Sequence, residues 1–414
     1  MPRYFSIVCI FASFVLIGCK PPQPPPPQAI NFEQELPAGS LALRKISPGE
    51  YPDFSAAITA FNIQDLGKSI DNSLTYLAAP SSEAFFPYED ITHQRAVASL
   101  IALKQIIQTQ LSNPAIDSGR QFDAIIKSTF EVYKSIGAPN PQGGYTGRVL
   151  FTGYFTPIYN ASLTREGPYQ FPLYKRPADL DTDPTGQFAY RRDNHGPYYT
   201  RRQIEQNHVL DGQELVWLAD RFDAYVITVQ GSARLRLTNG QIYEIGYAGN
   251  NGYEYSSPGR QMLSDGAIAK SQLTLRGLRS YFAQHPEAMD KYLLLNDRYI
   301  FFAQRSGGPF GSLNVPVTPF ATIATDKSVY PRAMPAFLAV SVPSPSGGIT
   351  PFRGLMLDQD TGGGIRASGR CDIFMGVGAG AEALAGEELN PGELYYLAIK
   401  PELIPQYSNG AGPK

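Results

Sequence analysis

The chain has 414 residues, longer than one hydrophobic core usually organises, so two domains are the starting expectation. An apolar share of 43% beside 17% charged residues describes a globular protein and excludes a disordered, collagenous or polytopic membrane chain. With 35 basic against 37 acidic residues the net charge is −2, which lacks the concentrated positive field that nucleic acid demands, so no nucleic-acid partner is expected.

The N-terminus reads as an export signal. Arg3 precedes an apolar run from Tyr4 to Ile17, too short to span a bilayer and right for the apolar core of a signal peptide. Residues 1–18 are assigned to it. The ending Leu16-Ile17-Gly18-Cys19 resembles a bacterial lipobox, in which Cys19 would be acylated and become the mature N-terminus. Lys20 is not the Asp that typically retains a lipoprotein in the inner membrane. The expected location is therefore the periplasmic face of a Gram-negative outer membrane, with the lipid on Cys19 as anchor. Cleavage removes Cys9 and acylation occupies Cys19, leaving Cys371 without a disulfide partner. Pro21 to Gln28 is a stiff polyproline spacer, and residues 19–34 form a tether.

Three helices are expected next. Ile63, Leu66, Ile70, Leu74 and Leu77 form one apolar stripe of a helix over 55–78. Val97, Leu100, Leu103, Ile107 and Leu111 form a second, stopped by Asn113-Pro114. Phe122, Ile126, Phe130, Tyr133 and Ile136 form a third, closed by Gly137 and Pro139. The period then changes. Runs over 149–154, 224–230, 233–237 and 241–247 read as strands, with Asn239-Gly240 as a hairpin turn. Thr200 and Gln203 form a capping box ahead of Ile204. Helices are expected over 273–283 and 287–295, and strands over 299–302, 320–325, 337–342, 354–357, 371–375 and 394–399.

Four scattered histidines, His93, His195, His208 and His285, show no ligand spacing, so no metal is expected. No nucleophile elbow and no phosphate-binding loop occurs either, and no cofactor is expected. Cys371 lies in an apolar strand and reads as a buried small hydrophobe. The informative stretch runs from Leu355 to Gly376. In it Asp360 and Asp372 stand at the edges of short apolar strands, separated by a turn holding Gly362, Gly363 and Gly364. On spacing alone this is a hairpin with a glycine-rich turn.

Asp360-Thr-Gly-Gly-Gly-Ile-Arg366, followed by Gly369-Arg-Cys-Asp372-Ile-Phe374, resembles the three-aspartate module of the membrane-bound lytic murein transglycosylase A family. The first aspartate of that module matches Asp326. Phe151 to Pro157, Val229 to Arg234, Gly246 to Gly252 and Gly311 to Pro316 fall in the family's order, and the resemblance covers about 149–398. Departures are Gly364 for a usual Ala, Arg366 for Lys and Cys371 for Val. The resemblance implies a mainly β chain with N-terminal helices: a double-psi β-barrel over 35–156 and 297–414, interrupted by a second β-barrel over 157–296, with a glycan groove between them.

It also implies a peptidoglycan lytic transglycosylase that cleaves the β-1,4 bond between N-acetylmuramic acid and N-acetylglucosamine, leaving a 1,6-anhydro end. The substrate's own C6 hydroxyl is then the nucleophile, so one carboxyl can act where a glycosidase uses two. Asp372 matches the catalyst, serving first as acid and then as base. Asp360 and Asp326 either tune it or tie the barrel's turns. Thr152, Gly153, Tyr154, Gln230, Gly231, Ser232, Gly362 and Gly363 are the implied substrate-binding positions. Tyr247, Tyr253 and Tyr255 either stack on sugars or pack in the core. Two rivals are a glycan-binding lipoprotein without activity, and a hydrolytic muramidase that uses Asp360 as base.

Overall fold

The computed structural model describes residues 29–37, 39–112, 117–182, 189–344 and 346–408. The signal segment, Cys19, the polyproline run and the Asn113-Pro114 stop lie outside the described residues.

In chain order the elements begin with β1 (Leu43–Lys45), α1 (Ile63–Leu77), α2 (His93–Ser112), α3 (Ser118–Thr129), β2 (Phe130–Ser135) and β3 (Val149–Thr156). There follow β4 (Ile158–Ser162), β5 (Phe171–Tyr174), β6 (Leu180–Thr182), β7 (Ala189–Arg191), α4 (Arg201–Glu205), β8 (Glu214–Leu218), α5 (Arg221–Gln230), β9 (Ser232–Leu237) and β10 (Ile242–Asn250). Next are α6 (Pro258–Ser264), α7 (Leu275–Gln284), α8 (Ala288–Leu293) and β11 (Ile300–Arg305). The chain closes with β12 (Thr322–Ala324), β13 (Pro335–Pro343), β14 (Ile349–Asp360), β15 (Arg370–Val377), α9 (Ala379–Glu387), β16 (Leu389–Ile399) and α10 (Ile404–Tyr407).

Two barrels result. In the first, β3 pairs with both β15 and β16, which closes the order β16-β13-β14-β12-β15-β3 into a ring. Within it β12 runs parallel to β14 and β15 parallel to β3, while the other pairings are antiparallel. The second has the order β11-β10-β9-β4-β8-β5, and a bridge between Lys175 and Phe302 joins its two edges. This is the expected double-psi barrel with a second barrel inserted. Closure removes the sheet edges that would otherwise need covering. One apolar core fills the first barrel and its helices, built on residues such as Phe54, Phe337, Leu355 and Ile373. A separate cluster, including Leu173, Val216, Leu235 and Phe302, fills the second. Helix α1 is pinned to the first barrel by Asn62, whose side-chain amide donates to the carbonyls of Phe320 at 2.6 Å and Leu355 at 2.8 Å.

Four expectations need correction. The first helix opens at Ile63 rather than at 55, with a separate 3-10 turn over Ser55–Thr59 ahead of it. The third apolar stripe is not one helix: α3 ends at Thr129, and Phe130, Val132 and Tyr133 belong to β2, paired with β16. Its helical spacing is a coincidence of a buried helix end meeting a strand buried on both faces. The run over 224–230 is helix α5, opened by Asp220, whose carboxylate accepts the Asp223 N–H, and closed by Gly231 at φ +78°. Phe222 and the residues from Ala224 to Thr228 are all buried, so the helix lacks a polar face and reads as a buried strand. The boundary at 296 also falls short, because β11 pairs with β10 and completes the second barrel through Arg305.

Candidate functional site

Strand β3 runs out of the first barrel and, after Pro157, continues as β4 in the second. Asp372 lies alongside this strand, where parallel register places it opposite Thr152, in the middle of β3. The Thr152 hydroxyl donates to Asp372 Oδ1, and Arg370 Nη2 lies 3.3 Å from the same oxygen. Arg370 Nη2 also donates to Thr152 Oγ1 at 2.9 Å. Among the described residues both side-chain contacts of the Asp372 carboxyl fall on Oδ1, which leaves Oδ2 for a ligand. The side chain keeps 15% of its surface exposed.

Asp360 closes β14. Its Oδ1 accepts the N–H of Ser312 at 2.7 Å and of Thr361 at 2.8 Å. Burial pushes its carboxyl up, against the pull of those two amides. The Tyr154 ring lies nearby on β3, its hydroxyl buried beside the Asp360 carboxyl without a hydrogen bond of good geometry. Burial pushes that phenol far above its ordinary range, and the charges of Asp360 and Asp372 add to the effect. Asp326 does something different. Its carboxylate accepts from Ser328 N–H at 3.0 Å, Ser328 Oγ at 2.6 Å and Ala367 N–H at 2.9 Å. It thereby ties the turn after β12 to the loop that precedes β15.

The glycine-rich loop packs against the inserted region. A Cβ at Gly363 would stand 2.6 Å from Arg298 Nε, and one at Gly364 would stand 3.4 Å from the Tyr255 ring. Burial disfavours the Arg298 cation, and the like charge of Arg366 adds to this. Gly153 has a packing duty as well, since a Cβ there would meet Ala385 Cα of α9 at 2.7 Å. Gln230 Oε1 accepts the Phe155 N–H at 3.1 Å, and Ser232 Oγ lies 3.1 Å from Thr156 Oγ1. Together with Gly231 as the cap of α5, these residues bind the inserted barrel to β3. Tyr253 donates to the Tyr198 carbonyl at 3.0 Å, whereas Tyr247 is exposed.

Asp372, Thr152, Tyr154 and Asp360 therefore gather around the middle of β3, while Asp326 serves as a turn clamp. Cys371 is buried, and burial pushes its thiol well up, which suits no nucleophile. Two cavities of about 490 Å³, one beside α7 and one floored by Phe171, Tyr174, Tyr225 and Tyr299, include none of the three aspartates.

Sequence reasoning missed Arg370, although two-residue alternation along a strand puts it on the same side as Asp372. It also missed a fourth acidic residue. Asp358 is fully buried on β14, paired with Lys327 and accepting hydroxyls from Thr325 and Tyr396, each at 2.7 Å. Burial works against both charges of this pair, raising the carboxyl and lowering the ammonium, and their mutual attraction opposes it. Nothing in an apolar strand marks one aspartate for that role.

Comparison with known proteins places these features. Residues 150–303 match a family profile described as the MltA specific insert domain, and residues 321–398 match one described as the 3D domain, so the two together span more than half of the chain. Membrane-bound lytic murein transglycosylase A of Escherichia coli K12 is 29% identical over 263 residues, covering 62% of this chain and 67% of its own. Its Vibrio cholerae counterpart is 28% identical over 266 residues, with the same coverage of 62% and 67%. Among solved structures, a membrane-bound lytic murein transglycosylase from Agrobacterium tumefaciens aligns with a TM-score of 0.68 at 23% identity, over 88% of this chain and 99% of that one. E. coli MltA with bound chitohexaose aligns with a TM-score of 0.65 at 23% identity, over 92% and 100%.

Proposed function

We propose that this chain, which belongs to the membrane-bound lytic murein transglycosylase A family, is a peptidoglycan lytic transglycosylase whose single proton carrier is Asp372. The observation that carries the reading is the Asp372 carboxyl itself. It is held through Oδ1 against β3, the strand that leads into the second barrel, its Oδ2 makes no side-chain contact among the described residues, and it has no hydrogen bond to a second carboxylate there.

The chemistry follows from that arrangement. Asp372 gives a proton to the oxygen linking N-acetylmuramic acid C1 to N-acetylglucosamine, and the C1–O bond breaks. The resulting carboxylate takes the proton of the muramic C6 hydroxyl as O6 bonds to C1, giving a 1,6-anhydro end without water. Thr152 fixes the orientation of the carboxyl during both transfers. The hydrolytic alternative would use Asp360 as base; its Oδ1 accepts the backbone amides of Ser312 and Thr361, and the products of the reaction separate the two readings.

The glycan would lie across the junction, with the loop at Gly362 and Gly363 on one side and Gln230, Gly231 and Ser232 at its other edge. Thr152, Gly153 and Tyr154 form the floor in this reading. Gly153 and Ser232 act there through backbone shape, since their side-chain positions serve packing. The domain division extends accordingly: the inserted barrel begins after β3 and ends with β11. Anchoring to the outer membrane through acylated Cys19 completes the proposal. No helix among the described residues is long and apolar enough to cross a membrane, and the curated relatives are named membrane-bound.

The test is Asp372→Asn in purified protein on murein glycan strands. Turnover should fall by about 10²- to 10⁴-fold while glycan binding persists. Asp360→Asn keeps an acceptor for the two amides and should be milder. Turnover by Asp372→Asn within tenfold of the parent would remove Asp372 from the mechanism.

A further inference from the structure

Glu33 lies where the tether meets the folded body, and its carboxylate reaches two arginines. Arg260 of α6 pairs with both of its oxygens, the Nη2 to Oε1 contact being 2.6 Å. Arg370 Nη1 stands 3.4 Å from Oε1, while Arg370 Nη2 faces Thr152 and Asp372. One guanidinium is thus shared by two carboxylates, Glu33 and Asp372. The segment is seated closely, for a Cβ at Gly369 would stand 2.6 Å from the Phe32 carbonyl oxygen. Arg370 Nε is buried without a partner among the described residues, so the contacts at Nη1 and Nη2 set where the group rests.

A cation beside a carboxyl favours the charged form, and so works against holding and retaking a proton. A second carboxylate on the same guanidinium weakens that effect. We propose that Glu33 is a positioning residue for Asp372: by sharing Arg370 it limits the cation's grip on the catalytic carboxyl, and it sets that grip from the root of the N-terminal tether. The proposal rests on Asp372 as the proton carrier. Other titratable or charged groups around the trio are Tyr154 on β3, Arg260 on α6, Cys371 on β15, Asp358 and Asp360 on β14, and Lys327 after β12.

The experiment uses the full chain with Glu33→Gln, Arg260→Gln and Glu33→Asp. It reads the pH–activity profile on murein glycan strands and the carboxyl-carbon NMR titration of Asp372, assigned against Asp372→Asn. In Glu33→Gln a negative charge disappears, so the alkaline limb and the NMR midpoint should both move down by about 0.5–1 unit. The shift is modest because the Glu33 side chain keeps 33% of its surface exposed. On that limb activity falls about three- to tenfold, while the plateau at lower pH is kept. Arg260→Gln removes a positive charge and should move the midpoint up or leave it in place. Glu33→Asp should restore the parent profile.

A merely structural clamp would be loosened equally by Glu33→Gln and Arg260→Gln, so equal downward movement in both would overturn the proposal. So would an unmoved midpoint in Glu33→Gln. Should the parent prove inactive on murein, the enzymatic reading fails, and the NMR midpoints still decide whether Glu33 acts on Asp372 through Arg370.

Discussion

Glu388 sits between α9 and β16, and replacing it with Gln should change stability in a way that depends sharply on pH. The residue is 3% exposed; among the described residues the Asn390 side-chain amide reaches its Oε1 at 3.4 Å and Oε2 has no partner. Burial pushes the carboxyl from its ordinary 4.5 up to about 8. The unfolded chain therefore loses this proton near pH 4.5 while the folded chain keeps it to about pH 8. Between those values the folded state binds more protons, so stability falls as pH rises. At pH 7 the accumulated loss is roughly 3–4 kcal/mol, from about 2.5 units at about 1.4 kcal/mol each. Glu388→Gln has the same size and no charge to lose. Urea unfolding of both proteins between pH 4.5 and pH 8 should show equal stability at the acid end and a growing advantage for the variant above it. Parallel curves across the whole range would refute the reasoning.

Lys327→Met leaves Asp358 buried without its counter-charge, because the Lys327 side chain is itself only 4% exposed. The expected loss is about 3–5 kcal/mol in urea unfolding, partly recovered when Asp358→Asn is added to the same chain. Cys19→Ala should release the protein from membranes or leave it as unprocessed precursor, which fractionation and mass measurement will show. Normal outer-membrane recovery of that variant would remove the lipid anchor from the proposal.

How much of this was legible in the sequence depends on what each element buries. Strands β9 and β10 announce themselves through the Asn239-Gly240 turn, where Gly240 takes φ +81°. Helix α4 does so through its capping box, in which the Thr200 N–H donates to Gln203 Oε1 at 2.9 Å. Helix α5 hides, since wedging between two barrels buries it on nearly every side and erases its periodicity. Its ends carried the missing signal: an aspartate cap at Asp220 and a glycine stop at Gly231. Strand β2 hides for the opposite reason, sharing a stripe with the helix before it.

The candidate site divides in the same way. The motif around Asp360 and Asp372 was visible as spacing and glycine, and its family resemblance is what points to Asp372 as the proposed catalyst. That Asp326 clamps a turn, that Gln230 and Ser232 bind one barrel to the other, and that Glu33 reaches Arg370 follow from contacts between residues distant in sequence. A single chain read alone carries no signal for such contacts.

The most direct measurement is of the ends this protein makes. Murein sacculi digested in isotopically labelled water, then analysed by mass spectrometry, should yield muropeptides one water lighter than hydrolytic products, with no label incorporated, and Asp372→Asn should yield neither kind. Reducing ends that carry the label would show that water, not the C6 hydroxyl, attacks the sugar, and would contradict a mechanism in which Asp372 works alone.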